Sequence, residues 1–167
     1  MSPVNLDTWS LDREIVLVRV VGASAVDVYA AWITPSRFAT WFGPSGFSTT
    51  VRQMDVHVGG LARFDMQAPD GTVFTNRFVY LGLVPGERLV MDHGSDVDDA
   101  PDRFRVTVTI DQQDNGRSVV TLRQLHQTVE GRRQVISWGA VEMGMQTLAK
   151  LAEHCEAMRA AGLEFRE

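Results

Sequence analysis

The chain is poor in cysteine, in clustered positive charge and in long apolar runs, and each shortage removes a class of protein. Cys155 is the only cysteine among 167 residues, so no intramolecular disulfide forms and a reducing, cytoplasmic setting is expected. Sixteen Lys and Arg stand against 21 Asp and Glu, a formal net charge of -5. With no basic run, nucleic acid is not an expected partner, because a phosphate backbone is held by clustered cations. No apolar stretch approaches the length of a membrane span, and the N-terminal MSPVNLDTWSLDREIVL lacks the basic and apolar regions of a signal peptide. The four histidines, His57, His93, His126 and His154, have no spacing that suits a metal site, so neither metal nor cofactor is expected. The segment from His93 to Asp102 holds four aspartates but lacks the glycine and terminal glutamate of a calcium loop. It reads as a solvated loop between two strands. Cys155 sits in an apolar helical stripe without a base, and no serine occupies a nucleophile-elbow motif.

What is present is an ordinary globular composition, 44% hydrophobic and 22% charged, in a chain long enough to bury a core as one domain. Residues 13–21, REIVLVRVV, are dense in β-branched side chains and predict a strand. Ser24 and Asp27 fit a capping box that starts a short helix running to about Trp32. Thr34 as a cap and Pro35 in the first turn start a second helix that carries Phe38 and Trp41 inward and stops at Gly43-Pro44. From Phe47 the pattern turns to period two, and strands are expected over 47–56, 61–67, 73–83, 87–93, 103–111 and 117–126. Gly59-Gly60, Pro69-Asp70-Gly71, Pro85-Gly86 and Asn115-Gly116 mark turns between them. In the clearest strand Phe104, Val106, Val108 and Ile110 share one face, as in an antiparallel sheet covered on one side. After Arg132 the period becomes helical. Val141, Met145, Leu148, Ala152 and Cys155 form an apolar stripe on one long helix, whose large apolar partner is the sheet.

This order of elements resembles the helix-grip fold of the START-like, Bet v 1-like (SRPBCC) superfamily. More closely, the chain is similar to bacterial proteins related to the activator of Hsp90 ATPase. The residues that carry the resemblance are Val28, Trp32, Thr34-Pro35, Trp41-Phe42-Gly43-Pro44, Asp55 with Gly59-Gly60, Arg63-Phe64, Met66, Pro69-Asp70-Gly71, Val84-Pro85, Gly144, Leu148 and Leu151. The resemblance implies an α+β fold in which a curved antiparallel sheet, in the order β-α-α-β6-α, wraps a long C-terminal helix. It runs from Arg13 to Ala157 and suggests one domain over 13–160, with an extension at 1–12 and a tail at 161–167. Where the family has Gly-Trp, this chain has Gly144-Met145, exchanging a rigid indole for a flexible thioether that would reshape a cavity.

A small hydrophobic ligand, held in a cavity between sheet and long helix, is the leading functional expectation. Its walls would come from Trp41, Phe64, Phe78, Met91, Val106 and Val108, together with Leu122, Met145 and Leu148. Arg63, His126 and Glu142 are the candidate polar contacts. Each also has a plainer reading. Trp41 and Phe42 either close the core or gate an entrance. Asp55 and Arg63 either pair across a hairpin or place one charge inside the cavity, where an inward arginine needs an acid or an anionic ligand. His126 is either a cavity residue or a strand-end surface group. Two further expectations are association with a chaperone, which the family's name implies, and a cyclase- or hydrolase-like activity using Glu142 with His126 or Arg123. No catalytic motif is recognisable. A homodimer is compatible with so compact a domain.

Overall fold

The computed structural model describes Leu6 and residues 8–164; the remainder of the expected N-terminal extension and the last three residues of the tail lie outside the described residues. A 3-10 turn at Leu11–Arg13 leads into strand β1 (Glu14–Val21), followed by helices α1 (Ala25–Ile33) and α2 (Pro35–Trp41). Six strands come next: β2 (Ser48–Met54), β3 (Leu61–Gln67), β4 (Val73–Val84), β5 (Arg88–Ser95), β6 (Phe104–Gln112) and β7 (Ser118–Leu125). Helices α3 (Val129–Ser137) and α4 (Ala140–Ala160) complete the chain. The seven strands form one antiparallel sheet in the order β1-β7-β6-β5-β4-β3-β2. Consecutive strands from β2 to β7 are neighbours, as short turn-rich connections dictate. This is the α+β helix-grip arrangement: α1, α2 and α4 cover one face of a curved sheet.

Local chemistry explains most of the boundaries. The Ser24 hydroxyl oxygen accepts from the Asp27 amide at 3.3 Å, and Ser24 Oγ donates to the Asp27 carboxylate at 3.1 Å, so the reciprocal partner of the box is the hydroxyl. Thr34, expected to cap α2, makes no side-chain capping bond there; Pro35 alone presets the first turn. Bulges between Val51 and Gln53 and between Tyr80 and Gly82 increase local twist and bend the sheet. At the β2–β3 turn a side chain on Gly60 would place its Cβ 2.1 Å from the Asp55 carbonyl oxygen, so that approach needs glycine.

The single helix expected after Arg132 is two. Trp138 and Gly139 interrupt it, and Gly139 has φ 94°, a left-handed conformation that glycine adopts without steric cost. The interruption separates an α3 with no buried residue from an α4 that buries Gly144, Thr147, Leu148, Leu151, Ala152 and Cys155. The core lies between α4, the α1–α2 pair and the concave face. Trp41, Phe38, Phe64, Phe78 and Tyr80 are its largest fully buried side chains.

The segment after β5 departs from the solvated loop expected of it. His93 to Ser95 belong to β5 itself. The Asp96 side chain, only 3% exposed, takes Arg52 at 2.8 Å, Arg63 at 2.9 Å and Arg77 at 2.9 Å. Three guanidinium groups from β2, β3 and β4 thus converge on one carboxylate and tie the loop to the sheet. Burial works to raise the Asp96 pKa, yet hydrogen bonds from Arg63 and Arg77 prevail and hold it below the ordinary value.

Candidate functional site

Register assembles a row of rings on the concave face. Phe78 of β4 lies opposite His93 of β5, and His93 lies opposite Phe104 of β6. Arg105 pairs with Leu125, which sets Phe104 beside His126 at the end of β7. Ring centroids along the row are 5.0 Å for Phe78–His93, 4.9 Å for His93–Phe104 and 5.0 Å for Phe104–His126, the last pair stacked with an interplanar angle of 23°. Such spacing is that of directly opposed cross-strand side chains.

Above this row lies a cavity of about 770 Å³, within the size range of small-molecule sites. The sheet contributes Phe78, Met91, His93, Phe104, Val106 and Leu122. Phe42, Gly43, Pro44 and Phe47 form the wall after α2, while Trp32 reaches it from α1. Val135, Trp138, Ala140, Met143, Gly144 and Thr147 cover it from α3 and the first turns of α4. Phe74 and Trp138, 51% and 66% exposed, are the cavity-lining rings most open to solvent.

The space exists because α4 begins with small or flexible side chains. Ala140, Gly144 and Thr147 face the cavity, whereas Leu148 and Leu151, later on the same helix, are fully buried in packed core. Gly144 also brings α4 against β1: a Cβ there would lie 2.4 Å from Leu17 Cδ1.

Both imidazoles are held neutral near pH 7. Burial pushes His93 down to about 4, against a weaker upward pull from Asp102. His93 Nε2 donates to the Asn76 amide oxygen at 2.9 Å. Burial, reinforced by the Arg132 charge, likewise pushes His126 down to about 4. The Nε2 atom of His126 is buried without a hydrogen-bond partner, and so is the indole Nε1 of Trp32.

Of the residues expected at the site, Phe78, Met91, Val106, Leu122 and His126 line the cavity. Trp41, Phe64, Val108 and Leu148 are instead fully buried core. Trp41 turns its indole N–H to the Ala31 carbonyl at 2.9 Å, locking α2 to α1, so the Trp41-Phe42 pair divides between core and cavity. Met145 packs against the core without lining the cavity. Arg63 belongs to the opposite face, where its partner is Asp96 rather than Asp55; alternation along β3 puts it there beside inward Ala62 and Phe64. Glu142 is exposed, on the side of α4 away from the sheet. Arg123 pairs with Glu14 in a separate pocket of about 370 Å³ on the outer face. The acid–base set of Glu142, His126 and Arg123 is therefore not assembled. His93 was missing from the expected set. It lies two residues beyond Met91 on the same strand, so strand parity alone places both on one face.

Among the described residues, no group of three or more His, Cys, Asp or Glu could hold a metal ion, and no helix is long and apolar enough to cross a membrane.

This geometry coincides with a family. The family model described as "Activator of Hsp90 ATPase homolog 1-like protein" matches residues 22–156. The chain belongs to that family. A solved structure from Nitrosomonas europaea is 20% identical with a TM-score of 0.81, covering 91% of this chain and 99% of its own. One from Chromobacterium violaceum is 27% identical with a TM-score of 0.70, covering 87% and 99%. The AHSA1-like protein from Aeromonas hydrophila is 23% identical with a TM-score of 0.65, covering 92% and 97%. No curated protein matches the chain. These likenesses to the AHSA1-like family fix the fold; activation of an Hsp90 ATPase remains a property in the family's name.

Proposed function

We propose that this AHSA1-like protein binds a small hydrophobic ligand in the cavity between the curved sheet and α4. The observation that carries the reading is the cavity itself: about 770 Å³, walled mainly by aromatic and aliphatic side chains, with Asn76, His93, Gln124, His126 and Thr147 among its polar groups. Burying an apolar molecule there gains roughly 25 cal/mol for each Å² removed from water, and the scattered polar groups set its orientation. A reducing cytoplasm suits the buried Cys155 thiol, which burial pushes up to about 12, and that location forms part of the same proposal.

Native mass spectrometry of the purified protein, before and after denaturation, tests the reading. A discrete mass released on denaturation supports it. A bare chain that also fails to take up Nile red, an uncharged apolar dye, refutes it.

A further inference from the structure

Strand β1 forms one margin of the sheet, with β7 as its single strand neighbour. Hydrogen bonding fixes which of its backbone groups face outward. The His126 amide donates to the Arg13 carbonyl at 2.8 Å. Odd-numbered residues of β1 therefore turn towards β7, and even-numbered residues turn their N–H and C=O away from it. Helices satisfy both ends of that outward row. At one end Arg132 Nε of α3 donates to the Glu14 carbonyl at 2.8 Å. At the other, the Gly22 amide donates to the Glu156 carboxylate of α4 at 2.9 Å, and Arg159 donates to the Gly22 carbonyl at 3.1 Å. Between these ends, the outward backbone groups of Val16, Val18 and Val20 have no partner among the described residues. Their side chains are 46%, 51% and 52% exposed. Natural sheets seldom leave such an edge unguarded by proline, lysine or a bulge. This one has no proline or lysine, and it pairs with β7 without a register shift.

We propose that this open edge joins two copies of the chain, β1 to β1 and antiparallel, about a two-fold axis at Val18. A two-fold contact requires that the surface complement itself, and this one does. The pairing sets Val16 opposite Val20 and Val18 opposite Val18 of the second copy, so the unpaired donors and acceptors of each copy meet those of the other. Arg19, the one charge in the stretch, lies opposite Leu17 of the second copy and does not face its own counterpart directly. The Glu14 end of one copy meets the Gly22 end of the other, which brings Arg132 against Glu156 at both ends of the seam. Arg159, the competing cation there, is held by the carbonyl oxygens of Gly22 and Gly116 at 3.1 and 3.2 Å. An extended peptide from another protein would satisfy the backbone alone; the opposite charges at the two ends single out a second copy. The contact consumes the β1 edge of both copies and stops at two. None of the three valines lines the cavity, so the inference stands apart from ligand binding.

Sedimentation equilibrium of the full chain near pH 7, from about 1 to 200 µM, tests this over a range that reaches weak interfaces. The parent should sediment with twice the chain mass at the upper concentrations. Val18→Lys sets two ammonium groups face to face at the axis and should give a folded monomer, with the circular dichroism of the parent, because Val18 is half exposed. Arg132→Glu and Glu156→Arg should each weaken association about tenfold, and the two together should restore it to within about threefold of the parent, since the exchanged charges meet again across the seam. A monomer at every concentration, association untouched by Val18→Lys, growth beyond two copies, or a double variant as weak as the single ones overturns the proposal. Should Val18→Lys fail to fold, the charge exchange alone decides.

Discussion

The concave face of this sheet has two halves built from similar side chains, one solid and one hollow. In the solid half Phe38 meets Trp41 at 5.7 Å and Phe64 at 5.2 Å, and Trp32 meets Trp41 edge-on at 4.7 Å. In the hollow half His93, Phe104 and His126 stand at similar spacing from one another, but all three also border the cavity. The difference lies in what covers them. Two short helices and the Leu148–Leu151 stretch of α4 fill the first half. The second is covered by Ala140, Gly144 and Thr147, and by an α3 that buries none of its residues. Hydrophobic content therefore does not decide where a cavity forms; the size of the facing side chains does.

The largest expected effect separates the halves directly. Phe64→Ala should cost about 3–5 kcal/mol in chemical unfolding, because the void opens inside packed core. Phe104→Ala should cost markedly less, since its ring already borders empty space. Equal losses would erase the distinction.

Acid should act next, and mainly on the hollow half. His93 and His126 have folded pKa values near 4, below the ordinary 6.5 of an unfolded chain. Depressed values mean that the unfolded state binds protons first, so this stability is present above pH 6.5 and is lost as pH falls towards 4. Between pH 7 and pH 5 the folded state should lose about 2–4 kcal/mol. A double replacement by phenylalanine, read by urea unfolding at both pH values, should flatten that slope.

Asp96→Asn touches neither half and should have a smaller effect. Removing the charge shared by Arg52, Arg63 and Arg77 should cost about 1 kcal/mol at neutral pH, reduced by solvent around Arg52 and Arg63. Because the Asp96 pKa is depressed, its contribution is present above the ordinary carboxylate value and is lost as pH falls below it, so thermal melts of Asp96→Asn and the parent should draw together as the solution is acidified.

Much of the fold was legible in the sequence, for physical reasons that can be named. Period-two alternation with glycine-bearing turns located six strands of the meander, because one face is dry and the other wet. The α3–α4 interruption was missed: one glycine within a helical period does not reveal its own φ. Cavity residues were harder to read. Strand alternation tells inward from outward, and so picked Phe78, Met91, Val106 and Leu122. It cannot distinguish Phe64, which meets another side chain, from Phe104, which meets a gap. That information resides in helices remote in sequence. Arg63 failed for a different reason, since its partner Asp96 lies 33 positions away in a loop that composition alone marks as solvated.

The most direct test of the account is to fill the hollow half. Nile red should be titrated into the parent and into Ala140→Leu, which adds an isobutyl group at the cavity wall, with thermal melting measured on both. The account predicts dye affinity at least tenfold weaker with a melting temperature unchanged or raised, as expected when a void is filled rather than a core overpacked. A folded Ala140→Leu protein that binds Nile red as well as the parent would contradict it.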